Sequence, residues 1–205
     1  VRAKDDPPRL DEPPHGTPRL DWDPGHDPFD ETRVDPIADT LRCDRTAPYG
    51  RAPGGAAYSE RDYAERFHKL GPKGEHAVAW PPNQGAVMRT KVDYTDDIQF
   101  VHEFGQMMDR FGPPSGAFMA LIYEGPEGNR IPASYEARAI HYDSLYGKPL
   151  TYTLVPGNLP LGWKIRVMDT APALGQPGRW VSLVFLTEID EELSIDELID
   201  AEVLQ

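Results

Sequence analysis

The fold that this sequence predicts is an α+β domain with a mixed or antiparallel sheet, entered through N-terminal helices and an extended proline-rich N-terminal arm. Three observations carry that reading. Residues 1–53 hold ten of the chain's 22 prolines, among apolar residues too scattered for either the helical or the strand period. Two segments with apolar residues at helical spacing follow, at 59–71 and 96–112. Three short apolar runs, LTYTLV, WKIRVM and WVSLVFL, then come at turn spacing in the C-terminal half, without regular alternation of strand and helix.

The elements follow in order. The arm, 1–53, carries Trp22, Phe29, Val34 and Ile37 as anchors that would lay it along the globular body, residues 54–205. GHD at 25–27 reads as a glycine turn with a solvated histidine. Its abrupt charged, proline-bearing start leads to the expectation of a piece cut from something longer. Ser59 opens SERDYAERFHKLG as an N-cap, with Asp62 three residues on approximating a capping box. Tyr63, Phe67 and Leu70 supply the stripe and Gly71 the stop. RTKVDY reads as a strand. DDIQFVHEFGQMMDRFG reads as one long helix on Ile98, Val101, Phe104, Met107, Met108 and Phe111, ended by Gly112, with Arg110 at its end. FMALIY has strand character, IPASYEARAI begins in a turn and runs into a helix, and the acidic end EIDEELSIDELIDAEVLQ reads as a short helix on Leu193, Leu198 and Ile199.

Composition removes several function classes. A formal net charge of −13 over 205 residues opposes nucleic acid as a partner, because phosphate binding requires a basic field, and favours a basic protein partner. One cysteine, Cys43, excludes an intramolecular disulfide and a multi-cysteine zinc site; no metal is expected. No apolar run has the length of a membrane crossing, and no start resembles a signal peptide.

Phosphate-loop, dinucleotide-fold, zinc-protease and serine-hydrolase signatures are all missing. His141-Tyr142-Asp143 sets a histidine beside a carboxylate, but adjacency in sequence does not make a working pair. The polar residues that do stand out sit at element ends beside aromatics or glycines: Arg110 next to Phe111 and Gly112, Arg138 near Tyr135, and Gln176 between Gly175 and Gly178. On turn statistics alone, Gln176 in GQPG is an exposed turn residue.

WPPNQG at 80–85, DRFGPPSGAF at 109–118, ASYEARAI at 133–140 and GQPG at 175–178 occur in one order and spacing. Together they resemble the tuberculosis necrotizing toxin (TNT) domain family of NAD+ glycohydrolase toxins. The resemblance covers residues 80–185 and neither the arm nor the acidic tail. It implies an enzyme that cleaves NAD+ to nicotinamide and ADP-ribose, with NAD+ as substrate and no resident cofactor. It further implies secretion or delivery into a target cell's cytoplasm, and an immunity protein as partner. Carried over by position, Gln176, Arg110 and Arg138 are the catalytic set, and Phe111 and Phe118 contact substrate. Arginines can clamp a pyrophosphate bidentately, and an aromatic can pack on the positively charged nicotinamide ring.

Two departures bear on this. GQPGRW puts Arg179 and Trp180 where the family has glycines, either adding a phosphate contact or narrowing the pocket. The family's functional histidine has no counterpart near Thr151 or Tyr152, so either His141 substitutes for it or the site works without one. An ADP-ribosyltransferase would carry an ExE or QxE glutamate pair, which the chain lacks. A catalytically inactive NAD-binding or protein-interaction module stays open as the alternative.

Overall fold

The computed structural model of the chain describes residues 41–70, 72, 76–112, 114–142, 144 and 149–205. The anchors Trp22, Phe29, Val34 and Ile37, the GHD turn, Gly71 and Asp143 lie outside the described residues.

Helix α1 (Glu60–Phe67) begins where Ser59 accepts a hydrogen bond from Asp62 N, and it buries Tyr63, Ala64 and Phe67. It stops short of Leu70. The backbone turns extended at His68, and β1 (His68–Leu70) pairs antiparallel with β2 (His76–Val78). Strand β3 (Val92–Tyr94) leads into α2 (Asp97–Phe104), which Asp96 caps by accepting from Ile98 N and Gln99 N. The long helix expected over 96–111 is therefore two elements. Gly105, at φ +81, closes α2 by donating to Val101 O, and Met107–Phe111 continue as strand β4. The stripe is also rotated: Phe100 is fully buried whereas Ile98 is 56% exposed. Arg110 consequently lies on a strand.

Strands β5 (Met119–Leu121), β6 (Tyr123–Glu124) and β7 (Arg130–Ile131) precede α3 (Tyr135–Arg138), which Ser134 caps. Then come β8 (Pro149–Thr153), β9 (Lys164–Asp169), β10 (Val181–Leu186) and α4 (Ile195–Asp200), the last with a full capping box between Ser194 and Glu197. Among the described residues, six strands form one sheet in the order β3-β9-β10-β5-β4-β8, with every neighbour antiparallel. The α+β class stands, although short strands already interrupt the N-terminal helices.

Period-two alternation splits β9 and β10 between two cores. Ile165, Val167, Leu183 and Phe185 face Phe100, Met108 and the α4 residues Ile195 and Leu198, while Met168, Val184 and Leu186 pack on the other face with Ala86 and Phe118. Burial of both faces explains why WVSLVFL reads as a nearly continuous apolar run. A third cluster gathers Tyr49, Tyr63, Phe67, Tyr135, Tyr142 and Leu174.

That cluster changes the view of the arm's end. Residues 41–53, assigned to the arm on composition, are fastened to the body: Leu41 O accepts from Tyr135 N, Tyr49 is buried, and Arg51 N donates to Gly175 O at 2.8 Å. The Glu136 carboxylate accepts from Cys43 N and Asp44 N at 2.9–3.0 Å. Proline content reported an extended backbone here, and the docking came from tyrosine burial and long-range hydrogen bonds.

Candidate active site

Strand β4 carries Asp109, Arg110 and Phe111 side by side, and α3 brings Arg138 over them. The Arg138 guanidinium donates Nη1 to Asp109 Oδ1 at 2.6 Å and Nη2 to Oδ2 at 2.7 Å, and its Nε donates to Ala133 O at 3.1 Å. Both side chains of this pair are 4% exposed. The same guanidinium lies 4.7 Å over the Phe111 ring. Arg138 thus fixes Asp109 and Phe111 with every nitrogen committed.

Arg110 is differently placed. Its Nη1 donates to Phe118 O at 2.7 Å, which ties β4 to the segment entering β5. The side chain lies along Gly112 and Gly116; a Cβ on Gly116 would sit 1.9 Å from Arg110 Nη2, so the glycine is what admits the arginine. Burial pushes the guanidinium pKa down from its ordinary value, and the nearby Tyr152 phenol works in the opposite sense. Burial likewise raises the Tyr152 phenol.

The loop after β9 is built to hold Gln176. Ala173 N and Gln176 N exchange backbone hydrogen bonds with each other's carbonyls at 3.1 and 2.8 Å. Gly175 and Gly178 take φ of +74 and +67, and Gly178 N donates to Glu136 O, so α3 and the loop are joined. Gln176 is 2% exposed, against the exposed-turn expectation, because the loop folds back under Tyr49 and Gly50 instead of projecting outward. Its Nε2 is buried with no hydrogen-bond partner among the described residues. A buried donor left unmet costs about 1–3 kcal/mol.

Arg110, Phe111, Phe118, Arg138, His141 and Trp180 all face one cavity of about 840 Å³, within the range of small-molecule sites. Trp180 is locked in its wall: its Nε1 donates to Leu121 O at 2.8 Å, and its rings meet Tyr123 edge-on at 5.2 Å. Two of the sequence candidates do not line the cavity. Gln176 is buried and joined by its backbone to the lining residue Ala173, and Arg179 is exposed at φ +77 with its backbone N–H given to Thr170 O.

His141 is 2% exposed, and its Nε2 is 2.6 Å from Nε2 of the fully buried His68. At that distance one ring donates and the other accepts. Among the described residues no group of three His, Cys, Asp or Glu is placed to hold a metal ion, and no helix is long and apolar enough to cross a membrane.

Sequence reasoning missed Asp109, His68 and Trp80, of which Asp109 and Trp80 line the cavity. Asp109 could have been found, since a carboxylate inside an apolar strand requires a cationic partner. His68 was hidden by reading α1 one turn too long.

No family model matches the chain. It is 37% identical over 184 residues to the outer membrane channel protein CpnT of Mycobacterium tuberculosis (strain ATCC 25618 / H37Rv) and of Mycobacterium bovis (strain BCG / Pasteur 1173P2), covering 90% of this chain and 21% of each relative. The chain thus spans about a fifth of the length of those curated relatives. A solved structure of tuberculosis necrotizing toxin complexed with its immunity factor superposes with a TM-score of 0.85 and 35% identity, over 100% of this chain and 98% of that one. The chain belongs to the tuberculosis necrotizing toxin family. Within the family frame, three sequence blocks, WPPNQG, DRFG with Phe118, and EARAI, supply walls of the cavity, and GQPG is tied by Gln176 to the lining residue Ala173 without lining the cavity itself.

Proposed function

We propose that this chain hydrolyses NAD+ to nicotinamide and ADP-ribose and acts as a toxin that depletes NAD+ in a target cell. The observation that carries the reading is the convergence of sequence blocks distant along the chain on one cavity, backed by a buried amide with an unmet donor.

The chemistry asks little of a general acid. The bond from ribose C1′ to the nicotinamide nitrogen breaks, its electron pair neutralises the pyridinium, and an oxocarbenium-like ribose forms, which water attacks with loss of a proton. What the reaction needs is position and a water-poor wall. Arg110 supplies the cation for the pyrophosphate. Phe118 and Phe111 supply faces for the nicotinamide ring. Arg138, already committed to Asp109, sets Phe111 and closes the wall. Gln176 is joined through its backbone to the lining residue Ala173 but is not itself in the lining; its role here, donating Nε2 to a ribose hydroxyl or the attacking water, requires the wall at Ala173 to open when substrate binds. His141, hydrogen-bonded to His68, contributes a polar edge to the same wall, and Arg179, exposed outside the lining, has no ligand contact in this scheme. NAD+ enters as substrate, with no resident cofactor in the scheme.

A cell making such an enzyme needs protection. The related toxin is solved with an immunity factor, and the net charge of −13 suits a partner with a complementary basic face covering the cavity mouth. Secretion or delivery into target-cell cytoplasm belongs to the same proposal. The test is chromatography of NAD+ incubated with the purified chain. Nicotinamide and ADP-ribose in equal amounts are expected; unchanged NAD+ would return the chain to a binding or interaction module, and ADP-ribosylated protein would make it a transferase.

A further inference from the structure

The block WPPNQG has so far only formed wall. Its Trp80 lines the cavity yet remains 64% exposed, which is unusual for an indole. The loop around it is rigid. Pro81 and Pro82 fix the backbone after the indole, and Asn83, Gln84 and Gly85 then take φ of 57, 61 and 69, three successive left-handed residues. That conformation is pinned from several sides. Gly85 O accepts from Ala171 N at 2.8 Å, Val87 N donates to Asp169 O at 3.0 Å, and the Gln84 side chain accepts from Lys91 and donates to Glu192. A stiff, anchored loop therefore holds a flat aromatic at the cavity rim, open to solvent.

Resting on the NAD+ reading above, we infer that Trp80 is the stacking platform for the adenine half of the dinucleotide. The reacting bond has to lie where water is limited, and the buried walls are those of Arg138, His141 and Ala173, each 7% exposed or less. With the pyrophosphate at Arg110, the remaining half of the ligand, a flat base that takes no part in bond breaking, extends to the rim. A contact to such a remote part adds binding shared equally by ground and transition states, so its loss is read in KM. Trp180 is held in the wall by its indole N–H bond to Leu121 O and its contact with Tyr123, and it is less exposed than Trp80, so the open ring is that of Trp80. Trp80 is a substrate-positioning residue in this scheme and touches no reacting atom.

The test compares wild type, Trp80→Ala and Trp80→Phe by KM and kcat for NAD+, and by calorimetric titration of ADP-ribose, which keeps the adenine, and nicotinamide mononucleotide, which lacks it. Loss of one base stack predicts that Trp80→Ala raises KM for NAD+ and weakens ADP-ribose on the order of tenfold. Nicotinamide mononucleotide binding stays unchanged, kcat stays within about twofold, and Phe restores most of the loss. An equal loss for nicotinamide mononucleotide would make Trp80 a structural wall residue, and no loss for ADP-ribose would remove the platform; either overturns the inference. Absence of NAD+ turnover in wild type would overturn the hydrolase reading instead, and the ADP-ribose titration would still decide the adenine subsite.

Discussion

Replacing Arg138 with alanine removes more than a substrate contact. The side chain sits 4% exposed, makes two charge-assisted bonds to an equally buried Asp109 at 2.6 and 2.7 Å, donates to Ala133 O, and covers the Phe111 ring. Truncation leaves the Asp109 carboxylate buried without its cation, and breaking such a pair from one side costs about 3–5 kcal/mol. Two charge-assisted bonds at about 1.5–3 kcal/mol each give the same range. Against a total stability of about 5–15 kcal/mol this is about a fifth of the fold or more. With a urea m-value of about 2 kcal/mol/M, the unfolding midpoint falls by about 1.5–2.5 M. The assay is urea unfolding followed by tryptophan fluorescence for wild type, Arg138→Ala, Asp109→Leu and the double variant Asp109→Leu/Arg138→Met. The double variant is expected to be more stable than either single one, because no charge is left stranded. A midpoint shift below about 0.5 M for Arg138→Ala, or strictly additive losses in the double variant, would refute the buried-pair argument.

Other expectations follow from the same geometry. Gly50 has φ +77, and a Cβ there would lie 2.2 Å from Gly175 O, so Gly50→Ala should push the Gln176 loop aside and lower both thermal stability and NAD+ cleavage, checked by melting and by nicotinamide release. Gly116→Ala should displace Arg110 and raise KM for NAD+ with little change in melting temperature, since the neighbour that must move is a side-chain end. Asp93 and Asp190 are held below the ordinary aspartate pKa of 3.8, first by their hydrogen bonds to Arg166 and Lys164 respectively. Their folded pKa values being the lower ones, the stability they add is complete above about pH 4 and is lost as pH falls through the folded values. Asp93→Asn should flatten that part of the stability–pH curve, and NMR titration of Asp93 at an unshifted pKa would contradict it. A chain begun at residue 54 should unfold at lower urea than one begun at residue 41, because Glu136 loses its partners at Cys43 and Asp44 and the Tyr49 contacts go with them; equal midpoints would return 41–53 to a detachable arm.

What the sequence disclosed depended on the range of each signal. β8, β9 and β10 were legible because their apolar runs are local and bounded by turns. The α2 boundary was not: Met107, Met108 and Phe111 continue a helical spacing by coincidence, while Gly105 and pairing with β5 and β8 make them a strand. Gln176, Arg110 and Arg138 could be singled out from short blocks, yet their division of labour lies in contacts that cross the chain. Arg138 meets Asp109 from 29 residues away, and His141 meets His68 from 73. Local spacing carries no trace of either pairing. The burial of Gln176 was equally hidden, since the GQPG turn becomes an inward loop only after Tyr49 and Gly50 dock beside Gly175.

The most direct measurement is the initial rate of nicotinamide release from NAD+ by wild type and Gln176→Ala, run side by side on samples with matching circular dichroism and melting temperature. Pro177 and the glycines keep the loop in the variant, so the buried amide is what is lost. Wild type is expected to cleave NAD+, and the variant to do so at a rate lower by on the order of 10² to 10³. Near-equal rates from two folded samples would contradict that expectation.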